Sequence, residues 1–326
     1  MQSPSMTSPR NQHGELEFQV RMASVLEASA PKAGNVHPGA SFEDLQYEDF
    51  LASADRSAGP LSQAATLGVG AAVLEAVYQT HQTVGRNTNL GISLLVAPLC
   101  AVPAAIPLRE GIETVLANTT VADARAVYAA IQLIQPGGMG KVDNQDVSNE
   151  PTACLRDVMR LAAHRDSIAA EYAEGFPRVL QFGVPILIGD DRWSTSWPIA
   201  VSTLALRLMA EFPDTLIARK CGADIASQSS RLAKDVISAG WPEAPESHAA
   251  FQSLDTWLRA DGHRRNPGTT ADLVTAILLA AFRDEELQPP AIATLPPLAR
   301  AVFGIQDESQ ENTSLPQPQC RHSPGA

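Results

Sequence analysis

Lysine, asparagine, histidine and serine crowd into Lys32-Ala33-Gly34-Asn35-Val36-His37-Pro38-Gly39-Ala40-Ser41-Phe42, a stretch that Pro31, Gly34, Pro38 and Gly39 keep from being helical. An ammonium, an amide, an imidazole and a hydroxyl together suit phosphate binding, hydroxyl orientation and proton movement, and ligands favour loops on a rigid scaffold. Two more polar islands follow, Gly85-Arg86-Asn87-Thr88-Asn89-Leu90-Gly91 and Asn266-Pro267-Gly268-Thr269-Thr270-Ala271-Asp272. In each, glycine, asparagine or threonine stands where a loop enters a helix. Free N–H groups and the positive end of the helix dipole point into such junctions, and both suit phosphate oxygens. Asn87 and Asn89 are two apart and cannot share a helix face, so one of them caps the helix starting at Leu90. A cap needs one residue, whereas Arg86, Asn87, Thr88 and Asn89 crowd a single helix start. Thr269 or Thr270 caps the last long helix. Asp272, in its first turn, either complements the dipole or serves as a magnesium or substrate ligand.

Lys141 to Glu150 gathers acidic and amide groups behind a glycine-rich loop. Asp143 and Asp146 would face the same way on a helical turn and hold a hard cation between oxygens; a solvated acidic loop explains them equally well. Asp44 and Asp123 complete S/T-x-x-D patterns with Ser41 and Thr120, so capping accounts for both. Arg219-Lys220 ends a segment opened by Pro213-Asp214-Thr215. Cations at a helix C-terminus need no function, yet a paired Arg-Lys is also what a triphosphate requires. Gly137-Gly138-Met139-Gly140-Lys141 is not a P-loop, because Gln135 and Val142 occupy required positions and no strand precedes it. HExxH, GxSxG and GxGxxG are absent.

The elements that carry these islands read as helices. Phe18, Met22, Val25 and Leu26 set a first helix ending near Ser29. Ser41-x-x-Asp44 predicts the start of a second, Pro60 to His81 a long alanine-rich third, and Leu90 to Cys100 a buried central one. Further helices are expected over Pro107–Asn118, Val121–Ile134, Pro151–His164 and Ser167–Phe182. After a looser stretch, in which Ile186-Leu187-Ile188 is the one strand-like run, Thr195–Phe212, Thr215–Ala239, Glu246–Arg259 and Thr269–Glu285 complete the set. The expectation is an all-α, single-domain bundle of about a dozen helices over residues 13–305, with disordered tails at 1–12 and 306–326. The 326 residues are 44% hydrophobic but only 5% aromatic, which favours helix. A net charge of −12 argues against nucleic-acid or anionic-membrane partners. Four scattered cysteines without CxxC spacing argue against a disulfide framework or zinc. With no membrane-length apolar run and no signal-peptide core, the default expectation is a cytoplasmic protein.

The islands together resemble the triphosphoribosyl-dephospho-CoA synthases, from roughly Glu15 to Arg283. The resemblance rests on Lys32-x-Gly34-Asn35-Val36-His37-Pro38, Asn87-x-Asn89-Leu90-Gly91, Thr119-Thr120-Val121-x-Asp123-Ala124, Asp146-Val147-Ser148, Asp214-Thr215-Leu216-Ile217-x-Arg219-Lys220 and Asn266 to Asp272. It implies an all-α enzyme in which the 2′-hydroxyl of dephospho-CoA attacks C1′ of the ATP ribose and adenine leaves. By their chemistry, Lys32, Arg219 and Lys220 would clamp phosphates, while Asn35, Asn87, Asn89, Asn266, Thr269 and Thr270 orient substrate oxygens. Asp143, Asp146 or Asp272 would hold Mg2+ or accept the hydroxyl proton, and His37 would do acid–base work near neutral pH. Two departures from the citrate-lyase branch, Lys32-Ala33-Gly34 with His37 and Asn89-Leu90, leave the acceptor open. Alternatives are ribosyl-phosphate transfer in pterin-type cofactor assembly and a non-catalytic nucleotide-binding protein, with oligomerisation unspecified.

Overall fold

The computed structural model describes residues 9–136 and 145–305. Residues 1–8, 137–144 and 306–326 lie outside it, and with them most of the expected tails, the glycine-rich loop and Asp143. Sixteen α-helices follow one another among the described residues: α1 (Pro9–Ser29), α2 (Tyr47–Ser62), α3 (Ala64–Leu67), α4 (Val69–Val84), α5 (Leu90–Ala101), α6 (Leu108–Ala117), α7 (Val121–Ile134) and α8 (Leu155–Ala162). The second half holds α9 (Ser167–Glu174), α10 (Val184–Ile188), α11 (Trp193–Glu211), α12 (Thr215–Cys221), α13 (Ala223–Ser238), α14 (Pro245–Arg259), α15 (Gly268–Arg283) and α16 (Pro297–Ala301). One short extended segment, Ala260–His263, and no sheet interrupt the helical pattern among the described residues, so the fold is all-α.

Several expected boundaries move for identifiable reasons. α1 begins at Pro9, inside the stretch expected as a tail. The expected Pro60–His81 helix is three pieces: α2 ends before Gln63, and the chain passes through Gly68 at φ 91° between α3 and α4. The expected Thr215–Ala239 helix breaks in the same way at Gly222, φ 95°. No helix starts at Ser41. Residues 37–45 form two tight turns, bridged His37 to Ala40 and Phe42 to Leu45, and α2 opens on a reciprocal cap between Gln46 and Asp49. The Ile186-Leu187-Ile188 run is helical, as the end of α10. The Thr120–Asp123 cap forms as expected: Asp123 N donates to Thr120 Oγ1 at 3.1 Å and Thr120 N to Asp123 Oδ2 at 2.8 Å. Asp123 Oδ1 also accepts Gly70 N at 2.8 Å, which fastens α7 to α4.

Two apolar cores flank the site. The larger joins α1, α2, α4, α5 and α15, and in α5 every residue from Ile92 to Cys100 is buried. Leu273, Val274, Ile277, Leu278 and Phe282 of α15 are buried in it, each contributing roughly 1.5–3 kcal/mol. The smaller core packs Leu206 and Met209 of α11 against α12, α13 and α14. The Lys32 loop runs along the seam, with Ala30 and Val36 in the larger core and Ala33 in the smaller.

Candidate active site

The three polar turns, far apart in sequence, meet at this seam. Gly34 packs against the third turn: a Cβ there would lie 3.0 Å from Pro267 Cδ. Asn35 Nδ2 donates to Asn266 Oδ1 at 3.2 Å, joining the first and third turns directly. Lys32 does not project into solvent. It is 1% exposed, and its Nζ pairs with Glu27 Oε1 at 2.9 Å while donating to the carbonyls of Glu27 and Ala30. The lysine therefore neutralises a buried carboxylate at the end of α1, a side chain to which the sequence motifs assign no role.

Glu27 leads to the second turn. With Ser24, Ser53, Ser57, Thr88 and Asn89, and with Phe50, Ala54 and Ile92 on its apolar side, it lines a small, partly open cavity of about 10 Å³, roughly the smallest space that holds one water. The crowding at this helix start is mostly structural. Arg86 pairs with Asp49 at 3.0 Å, Asn87 Oδ1 accepts Leu90 N at 3.3 Å, Thr88 Oγ1 bonds Ser53 Oγ, and Asn89 Nδ2 donates to Thr80 Oγ1 at 2.8 Å. Exposed Asn87 supplies the side-chain acceptor at this helix start, whereas Asn89 holds the N-cap position but is buried and turns its side chain to brace α4. Gly91 leaves room for Asp272, since a Cβ at Gly91 would fall 1.9 Å from Asp272 Oδ2.

Asp272 stands where the turns converge. It is partly exposed. Burial raises its pKa well above the usual carboxylate range, and Glu27, Asp214 and Asp166 push it further up against the pull of Arg219. The threonines beside it brace helices. Thr270 donates through N (2.7 Å) and Oγ1 (2.8 Å) to Asp214 Oδ2, and Thr215 Oγ1 lies 3.2 Å from Thr269 Oγ1. Asp214 is also the N-cap of α12, accepting from Leu216 N and Ile217 N. Arg219 faces Asp166 at 3.6 Å. Lys220, next in sequence, has its pKa lowered by burial and by Arg219, so its charge is held at a cost that an anion would offset.

His37 differs from its expected behaviour. Burial, then Arg259, then Lys32 lower its pKa to about 4, with Asp255 opposing, so the ring is neutral at physiological pH. Gly39 N donates to Nδ1 at 3.2 Å, which places the ring proton on Nε2 and makes that nitrogen a donor. Asp146 lies by α7, its Oδ1 accepting from Ser148 N at 2.9 Å and Ser148 Oγ at 2.6 Å. The expected Asp143–Asp146 cation pair lies partly outside the described residues, because Asp143 is not among them. Among those residues, no three His, Cys, Asp or Glu side chains stand close enough to hold a metal ion unaided. The motifs also pass over Glu27, Asp166, Asp255 and Arg259. For Glu27 a signal exists: one carboxylate in the otherwise apolar and small run Met22-Ala23-Ser24-Val25-Leu26-Glu27-Ala28.

A family model for ATP:dephospho-CoA triphosphoribosyl transferases (CitG) matches residues 14–290, a span that includes all three turns and Asp272. The chain belongs to that family. Membership makes it a transferase of the triphosphoribosyl-dephospho-CoA synthase type, with small-molecule substrates implied. The fold is similar to a crystal structure from Archaeoglobus fulgidus that carries the provisional assignment triphosphoribosyl-dephospho-CoA synthase. The TM-score is 0.57 at 24% identity, covering 72% of this chain and 98% of that one. No curated protein matches the chain. Among the described residues, no helix of this family member is long and apolar enough to cross a membrane.

Proposed function

We propose that the chain transfers the 5-triphosphoribosyl group of ATP to the 2′-hydroxyl of 3′-dephospho-CoA and releases adenine. The family match over residues 14–290 carries this reading. In the reaction the C1′–N9 bond of ATP breaks, its electron pair leaving with adenine. The acceptor oxygen bonds to C1′ and gives up its proton. Cleavage passes through an oxocarbenium-like state, so electrostatic stabilisation outweighs strong nucleophile activation.

The meeting of the three turns suits these tasks in a way the sequence alone does not suggest. Its centre is acidic rather than basic, and the cations Arg219 and Lys220 lie to one side. A triphosphate therefore fits best as a magnesium complex. Glu27, paired with Lys32, would hold that ion together with phosphate oxygens, since Mg2+ typically takes one or two carboxylates plus substrate phosphates. The metal would supply charge neutralisation. Asp272 is the group assigned to take the hydroxyl proton, because a raised pKa makes its carboxylate a stronger base than an ordinary aspartate. Neutral His37, with its proton on Nε2, donates a hydrogen bond to the departing base, and Asn35 with Asn266 orients ribose hydroxyls.

The test is incubation of the protein with ATP, Mg2+ and dephospho-CoA. Adenine should appear only with the acceptor present, along with a product joining the two ribose units. Tight ATP binding without adenine would point to a nucleotide-binding protein, and release with a different ribosyl acceptor to another pathway. Gly91→Ala sharpens the test. The methyl must displace the Asp272 carboxylate, a movable end group, so adenine release falls about 10- to 100-fold while the far-ultraviolet circular dichroism spectrum stays that of the parent.

A further inference from the structure

One face of α14 grips the Lys32 loop by its backbone. Gly34 N donates to Asp255 Oδ1 at 2.7 Å, and Arg259 Nε donates to both oxygens of the same carboxylate at 2.9 and 3.0 Å. Arg259 Nη2 donates onward to the Asn35 carbonyl. The Gly34–Asn35 unit is thus held at both ends by one ion pair. Between the two side chains, Leu258 closes the space: a Cβ on Gly34, at φ 74°, would lie 2.8 Å from Leu258 Cβ and Cδ1. Only glycine accepts both that dihedral angle and that approach. On its other side the Arg259 guanidinium lies over Phe42, 5.1 Å from the ring centroid. Phe42 meets His263 edge-on at 5.9 Å, and His263 Nδ1 bonds Asp44 Oδ1 at 2.9 Å.

An i,i+4 ion pair on a helix, here half-buried, adds little to stability by itself. Asp255 and Arg259 instead spend their remaining hydrogen bonds on the loop that carries Asn35 and His37. We infer that Asp255 and Arg259 are positioning residues that fix Asn35 against Asn266 and aim the His37 ring, without touching substrate. The forked guanidinium is required, because one planar group must reach a carboxylate and a carbonyl together while stacking on a ring. A lysine ammonium offers no such geometry.

The kinetic arm rests on the proposed transfer; the second arm does not. His37 faces Arg259 and Asp255 on α14 and Lys32 on its own loop. In the free protein, imidazole NMR should place its titration near pH 4 for the parent chain. Arg259→Lys keeps the charge but not the fork. Its kcat for adenine release should fall about 10- to 100-fold with KM for ATP little changed, and its His37 titration should remain depressed. Arg259→Gln removes the charge as well, so kcat falls as far and His37 titrates at higher pH. Circular dichroism should match the parent in both. Parent-like kcat in Arg259→Lys, a raised KM with unchanged kcat, or an unmoved His37 titration in Arg259→Gln would each overturn the inference. Parent protein that releases no adenine would sink the transfer reading, and the titration would still decide the positioning role.

Discussion

Asp272→Asn should lower kcat for adenine release by about 100-fold or more, the usual scale for loss of a positioned proton acceptor. The change is nearly isosteric, so the surrounding packing keeps its shape and the loss is chemical. Stability should move the other way. Burial, Glu27, Asp214 and Asp166 raise the Asp272 pKa above its unfolded value, so between those two values the folded chain holds a proton that the unfolded chain has released. Stability therefore falls as pH rises through that window and is fully present only below it. The substituted amide cannot ionise, so urea denaturation across pH should show the variant losing less than the parent as pH rises. A residual decline remains from Asp214 and Glu171, whose pKa values burial also raises. If Mg2+ with ATP stabilises the parent more at the upper end of the window than below it, and the variant at neither, the carboxylate is part of the ligand site. Equal ligand stabilisation of the two proteins would remove it.

Lys32→Met should be the more damaging change to the fold. Lys32 is 1% exposed and Glu27 4%, so the substitution strands a carboxylate and two carbonyl groups in the interior. Breaking one side of such a pair costs about 3–5 kcal/mol, whereas replacing both partners by apolar groups of similar volume is often nearly neutral. Lys32→Met with Glu27→Met should thus regain most of the lost stability in denaturant melts but none of the adenine release. Recovery of turnover in the double variant would show that Glu27 has no part in the reaction. Parent-like stability in Lys32→Met alone would show that the buried pair is not what shapes the turn.

Much of this arrangement is legible in the residues, and the failures have physical causes. The apolar run of α5 reads directly as a buried helix, because no amphipathic pattern is left in it. The Thr120–Asp123 cap is local chemistry and forms where its spacing says. The breaks at Gly68 and Gly222 escape a sequence reading because a helical period continues across a single residue that turns the chain. Lys32 reads as a free cation because a sequence shows charge but not burial. Its partner lies five residues earlier, where α1 ends and the chain folds back. The threonine and asparagine clusters read as ligands because redundancy suggests a surplus of donors. In three dimensions each donor has a separate protein partner, such as Thr80 for Asn89 and Asp214 for Thr270.

The Lys32 loop has alanines anchored in two separate apolar clusters, Ala30 in one and Ala33 in the other. It fastens together two halves that α11 also spans, and it holds its shape only while both remain intact. Heat, denaturant or a distant cavity that loosens either half will disorganise the loop first. The working temperature of the whole chain is then set by its weaker half, even where the stronger one supplies most of the buried surface.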